Sequence, residues 1–95
     1  MGTRNIRRES LSLPPYEAPE GELETAIAEI FADVFGLDCV GATDEFFLLG
    51  GDSLLAEVLR MKLAEYIGRE FPLSFLLEND SPRRIAAIEA RRVAL

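Results

Sequence analysis

A chain of 95 residues makes one domain with little room for an internal cleft, and an apolar share of 48% is that of a folded protein. A single cysteine, Cys39, rules out an internal disulfide framework, and with no histidine at all the chain is a poor candidate for zinc. The net charge of −7 is uneven. Residues 1–15 carry three arginines against one glutamate, a net of +2, whereas residues 16–95 carry seven basic against sixteen acidic side chains, a net of −9. Such a body repels nucleic acid and draws in partners with basic patches, or serves only to keep the chain soluble. No apolar stretch approaches the ~20 residues of a membrane helix, and the N-terminus lacks the apolar core of a secretory signal, so the cytoplasm is the default location.

Residues 1–19 read as a flexible, extended N-terminal tail. Pro14, Pro15 and Pro19 each disfavour helix in the residue before them. A folded domain is expected over 20–95. Its first helix should start near Glu20 and end about Phe35. Leu23, Ile27, Ile30, Phe31, Val34 and Phe35 recur at spacings of three and four, and Glu20, Glu22 and Glu24 occupy the first turn, where the helix dipole favours anions. Gly36 is placed to stop it.

Residues 36–51, "GLDCVGATDEFFLLGG", form a long first loop. Leu37, Val40, Phe46, Phe47 and Leu48 are expected to pack it down. A short turn at "TDEFF" would be capped by Thr43 or Asp44. The second helix begins at or beside Ser53, with Asp52 or Ser53 as N-cap, and stops at Gly68. Leu55, Leu59, Leu63 and Tyr66 fit a core stripe, with Leu54, Val58 and Met61 in a second stripe beside it. Pro72 breaks the chain, "SFLLEN" is long enough only for a short helix, and a last helix follows with Ser81 as N-cap and Pro82 in its first position. Ile85, Ile88 and Val93 are assigned to its core face, and Arg91 and Arg92 suit its C-terminal end. No segment alternates like a strand. The expected fold is all-α, a small bundle of three main helices and one short one.

The sequence "LLGGDSLLAEV" then poses a question about Ser53. A serine nucleophile needs a base, usually histidine, and this chain has none. The Gly-x-Ser-x-Gly elbow fails at Leu55, and no lysine precedes the serine as a P-loop requires. Asp38, Asp44 and Glu45 do not have calcium-loop spacing. What remains is a serine at a helix N-terminus, where unpaired N–H groups suit an anionic ester such as a phosphodiester. Small glycines in front, Gly50 and Gly51, would leave room for another protein to approach. The plainer alternative is that Ser53 only caps the helix, or yields the cap to Asp52.

The longer stretch "ATDEFFLLGGDSLLA", residues 42–56, closely resembles the phosphopantetheine attachment motif of carrier proteins, and most of all the peptidyl carrier (thiolation) domains of nonribosomal peptide synthetases. "YEAPEGELETAIAEIFADVFGLD" resembles that family's linker and first helix. "FPLSFLLENDSPRRIAAI", with Leu77, Ser81 and Ile85 at the recurring positions, resembles its third and fourth helices. The resemblance implies a four-helix carrier bundle with a long first loop. It implies covalent 4′-phosphopantetheine on Ser53, with Gly50, Gly51 and Asp52 beside it, added by a phosphopantetheinyl transferase. The arm would hold an aminoacyl or peptidyl thioester for adenylation, condensation or tailoring enzymes in natural-product (antibiotic) biosynthesis. The domain itself would be no enzyme, a cytoplasmic monomer with no nucleic-acid or membrane partner.

Some residues depart from the family pattern. Peptidyl carriers commonly have histidine where this chain has Asp52, and aspartate is usual in fatty-acid and polyketide acyl carriers. An acyl carrier is therefore the alternative, and an unmodified helical adaptor a third reading. Val58 stands where the family often has a polar or basic residue. Ser81 and Pro82 replace a more familiar Pro-Thr-Val. Leu54 is expected to face partners. Val58 and Met61 either extend that docking face or pack under the first loop, while Phe47 and Leu49 are expected to anchor the loop. Cys39 is either packed or exposed and has no catalytic role. The start at Met1 suits a free-standing, type II carrier, although "NIRRESLSLPPYEAP" resembles the end of an adenylation domain leading into its carrier.

Overall fold

The computed structural model describes residues 4–94, with side chains through Arg92. Four α-helices follow one another: α1 (Gly21–Phe35), α2 (Ser53–Ile67), α3 (Leu73–Glu78) and α4 (Pro82–Ala94). The described residues form no strand. One isolated parallel bridge joins Ile6 to Leu37, and a 3-10 turn spans Arg8–Ser10. The all-helical expectation of three main helices and one short one is borne out.

α1 packs on both α2 and α4, and α2 also packs on α3. The periodic face of α1 explains why. Ile27, Ala28, Phe31 and Ala32 are buried, and Leu23, Ile30, Val34 and Phe35 flank them, half-buried against the same core. α2 answers with Ala56, Leu59, Leu63 and Ala64, and α4 with Ile85 and Ala86. Fully burying one Leu, Ile or Phe side chain is worth about 1.5–3 kcal/mol. Both long inner helices end where a glycine turns the chain left-handed, Gly36 at φ 71° and Gly68 at φ 88°. α4 starts on Ser81, whose Oγ accepts from the Arg84 N–H at 3.4 Å, with Pro82 next to it in the first helical position.

Several expectations need correction. Tyr66 was expected on the core stripe of α2 but is exposed. The buried Ala56 and Ala64 and the half-buried Ile67, packed against the core, complete that face instead. Thr43 and Asp44 do not cap the turn that follows them. The Asp44 carboxylate accepts from the Gly41 N–H behind it, at 2.7 Å. Phe47 and Leu48 were expected to pin the first loop and are 56% and 52% exposed; Phe46 and Leu49 are the buried pair. The loop closes on itself here through Leu49 N–H to Glu45 O and Gly51 N–H to Phe46 O, so one helical-type turn sends 46 and 49 inward and 47 and 48 outward. Val93, assigned to the core face of the last helix, has its side chain outside the described residues.

Residues 4–19 lie along the body rather than apart from it. Ile6 exchanges backbone hydrogen bonds with Gly36 and Asp38, at 3.0 and 2.8 Å, and Leu11 and Leu13 pack against the core. Proline-rich sequence predicts the extended backbone, but carries no signal for these attachments.

Candidate functional site

The site is built by the end of the first loop and the first turn of α2. Gly50 has φ 101°, a conformation that only glycine adopts freely, and it turns the chain out of the 45–50 turn. Gly51 is needed for a different reason. A Cβ there would lie 2.2 Å from the Phe46 ring, so the ring packs directly on the Gly51 backbone. That contact is a packing reason for the second glycine which its spacing from Ser53 did not announce. Phe46 is in turn held edge-on by Phe35 and Phe47, with ring centroids 5.4 and 5.1 Å apart.

Asp52 is the N-cap. Its backbone is extended (φ −139°, ψ −177°), and its carboxylate accepts from the Leu55 N–H at 2.9 Å. Its carbonyl accepts from the Ala56 N–H at 2.8 Å. Of the two cap candidates in the sequence, Asp52 therefore takes the role and leaves Ser53 as the first helical residue. Among the described residues the Ser53 hydroxyl has no hydrogen-bond partner, nor do the Ser53 and Leu54 N–H groups, and the Ser53 side chain is exposed. What results is an accessible primary alcohol on a helix N-terminus, next to a carboxylate already engaged in capping.

Apolar side chains flank the site. Leu54 is 72% exposed and Met61, two turns on, is 57% exposed, with Val58 half-buried between them. Phe47 and Leu48 add exposed apolar surface before Gly50, where the sequence had been read as loop anchor. Exposed large apolar side chains gathered near one site on a small domain are more than scattered surface residues. Farther along α2, Arg60 pairs with Glu57 and Glu70 at 2.6 and 3.1 Å, and its guanidinium holds the Glu57 carboxyl below the usual range. Cys39 is half-buried. Burial, with Asp38 beside it, pushes its thiol above the ordinary value, so it is less of a nucleophile than a free thiol.

Two features near the site escaped sequence reasoning. The Asp44 carboxylate is 2% exposed and takes two hydrogen bonds from Arg8, both at 2.7 Å. That contact raises the Arg8 guanidinium further above its already high value. Nothing in a sequence pairs residues 36 apart without a repeating pattern. The Phe46–Gly51 contact was equally hidden, since glycine before a cap has many causes. No helix among the described residues is long and apolar enough to cross a membrane, and none of their side chains cluster as a metal site.

Residues 25–88, well over half of the chain, match the family described as "Phosphopantetheine attachment site". Gramicidin S synthase 2 of Brevibacillus brevis is 39% identical over 71 residues, which are 75% of this chain and 2% of that protein. The chain thus spans a small part of that relative. A chain in the structure of the phosphopantetheine transferase Sfp in complex with coenzyme A and a peptidyl carrier protein is 30% identical. The alignment covers 80% of this chain and 99% of that one, with a TM-score of 0.74. BlmI, a type-II acyl-carrier-protein from Streptomyces verticillus involved in bleomycin biosynthesis, is also 30% identical, over 75% of this chain and 86% of that one, with a TM-score of 0.71. The family attaches 4′-phosphopantetheine covalently, and the fold, the motif and these relatives agree: the chain belongs to the phosphopantetheine attachment family, as a carrier domain of the nonribosomal peptide synthetase type.

Proposed function

We propose that Ser53 is the attachment residue and that the loaded domain carries an aminoacyl or peptidyl thioester between enzymes of nonribosomal peptide biosynthesis, with no catalysis of its own. The observation that carries this reading is the Ser53 hydroxyl, exposed and without a hydrogen-bond partner among the described residues, one residue beyond the Asp52 cap. The fit to the group is local. The Ser53 and Leu54 N–H groups, without acceptors among the described residues, would suit the negative charge of a phosphodiester. Attachment forms a bond from Ser53 Oγ to the pantetheine-side phosphorus of coenzyme A, breaks the phosphoanhydride, and releases the adenosine bisphosphate part. The hydroxyl proton goes to a base on the transferase, because this chain has no histidine to take it. When bound, the arm supplies the thiol that holds the acyl group.

Gly50 sets the turn and Gly51 keeps Phe46 seated, so both fix where Ser53 stands. Asp52 caps the helix and offers a basic transferase a charge contact beside the target. Leu54 and Met61, with Val58 between them, form the surface for the transferase and then for adenylation, condensation or tailoring enzymes. A free-standing, type II arrangement is the reading we favour, supported by the likeness to BlmI along most of its length.

Intact mass spectrometry after incubation with coenzyme A and a promiscuous phosphopantetheinyl transferase tests the modification. The wild type should gain one phosphopantetheine mass and Ser53→Ala none; an equal gain on Ser53→Ala removes Ser53 from the role. Asp52 favours a second reading, an acyl carrier for polyketide or fatty-acid chemistry. Loading by an amino-acid-activating adenylation enzyme supports the peptidyl reading, and loading only from malonyl-CoA by an acyltransferase supports the other.

A further inference from the structure

Arg8 reaches across to the first loop from outside the residues that the family match covers. Its Nε and Nη2 donate to the two oxygens of Asp44, each at 2.7 Å, and its side chain is 11% exposed against 2% for Asp44. Nη2 also donates to Pro14 O at 2.8 Å, and the guanidinium lies 5.3 Å from the centroid of the Tyr16 ring. The Arg8 N–H donates to the Asp38 carboxylate at 2.7 Å. A two-pronged contact of this kind fixes orientation as well as distance. The same loop is fastened from the opposite side by Arg83 N–H to Ala42 O at 2.9 Å and Phe46 N–H to Asp80 O at 2.8 Å. Ala42 N–H donates to Glu17 O at 2.8 Å, and a Cβ on Gly41 would press on both Glu17 and Asp44.

From Asp44 the path to the serine is short and packed. Phe46 stands two residues on, its ring rests on Gly51, and Gly51 precedes Ser53 by two. We infer that Arg8 is a positioning residue for modification of Ser53: through Asp44 it holds the loop in the one arrangement that seats Phe46 on Gly51 and presents the serine. The inference rests on the proposed attachment at Ser53. It makes residues 4–17 part of the unit that the transferase meets, not a spacer in front of it. Without Arg8, the buried carboxylate keeps, among the described residues, only the Gly41 N–H as donor, and a loop that relieves it by swinging towards water takes Phe46 off Gly51.

The test uses the full chain with Arg8→Gln and Arg8→Lys, assayed well below their melting temperatures with coenzyme A and the same transferase. If only part of the population holds the competent arrangement, the apparent affinity falls by that fraction. Arg8→Gln should therefore raise KM for the carrier about tenfold at unchanged kcat, and Arg8→Lys, which keeps the charge and one bond, should recover much of it. Amide hydrogen exchange at Leu49–Leu54 should quicken in Arg8→Gln and less in Arg8→Lys. A role confined to overall stability moves neither KM nor local exchange in a folded variant. Wild-type KM together with wild-type exchange in folded Arg8→Gln overturns the inference. If that variant does not fold, Arg8→Lys decides alone: an intermediate rise in KM supports it and a wild-type KM overturns it. A wild type that gains no mass at Ser53 sinks the attachment reading instead, so the two failures are distinct.

Discussion

Asp52 and Gly51 show how two residues in one motif do different physical work. Asp52 combines a cap with a charge, and substitution separates them. Asp52→Ala removes the acceptor for the Leu55 N–H and should cost about 1 kcal/mol in urea denaturation. Asp52→Asn keeps an acceptor, so its stability should stay within about 0.5 kcal/mol of wild type, while its KM with a basic transferase rises. Equal stability loss in both would mean that the cap depends on charge. Gly51→Ala forces a methyl into the Phe46 ring, and overpacking of this kind costs about 1–3 kcal/mol, read as a lower melting temperature. The sequence made Ser53 and its neighbours legible because a rare run of small, acidic and hydroxyl residues stands before an apolar helix. It did not reveal why Gly51 is glycine, because the reason lies in an aromatic ring five residues away that only the folded turn brings back.

Among the elements, α2 divides cleanly between packing and presentation. Leu59 is fully buried and Leu54 is 72% exposed. Leu59→Ala should cost about 2–5 kcal/mol in denaturant unfolding, and Leu54→Ala less than about 0.5, yet Leu54→Ala should be the slower partner in transfer from adenylation enzymes. α4 is tied to the α2–α3 connection by Glu89, which is buried between Arg92 and Arg69 at 2.6 and 3.0 Å. Arg92, then Arg69, hold the Glu89 carboxyl below the usual carboxylate range against the opposing effect of burial. A carboxyl lowered in the folded state stabilises it above the unfolded value, about pH 4.3, and loses that contribution as pH falls through the folded value. Stability measured between about pH 7 and pH 3 should therefore fall on the acid side, and Glu89→Gln should be less stable at neutral pH with a shallower acid limb. An unchanged acid limb would remove Glu89 from that role. The helices themselves were legible because three- and four-residue spacing and glycine stops act within a few residues. Tyr66 misled because an apolar residue at the edge of a periodic stripe reads the same whether it is covered or not, and Phe47 and Leu48 because a loop has no period to say which apolar residue turns inward.

At the scale of the whole molecule, the excess of acidic groups in residues 16–95 and the local positive charge at the N-terminus shape its encounters. A basic partner steered by this field should lose association rate as salt is raised, so kcat/KM for modification should fall between low salt and about 0.5 M, whereas Leu54→Ala should lower it by a similar factor at both. Two of the three arginines of that N-terminal segment are drawn onto the body: Arg4 reaches Glu29 at 2.6 Å and the carbonyls of Leu37 and Asp38, and Arg8 pairs with Asp44, while Arg7 stays exposed beside Glu9. Composition reports the charge and hides this use of it, because the partners lie far apart in the chain. The account rests finally on one hydroxyl among several, with Ser74, Ser81 and Thr43 also in the sequence. Ser81 is buried at the start of α4, whereas Ser10, Ser12, Thr25 and Ser74 are exposed like Ser53; what sets Ser53 apart is its place one residue beyond the Asp52 cap, in the first turn of α2. Tandem mass spectrometry of the proteolysed protein, after treatment with coenzyme A and transferase, reads the site directly. Phosphopantetheine confined to the peptide bearing Ser53, with the fragment ions placing it on that residue, is the predicted result; the group on any other residue, or none on this chain, would contradict it.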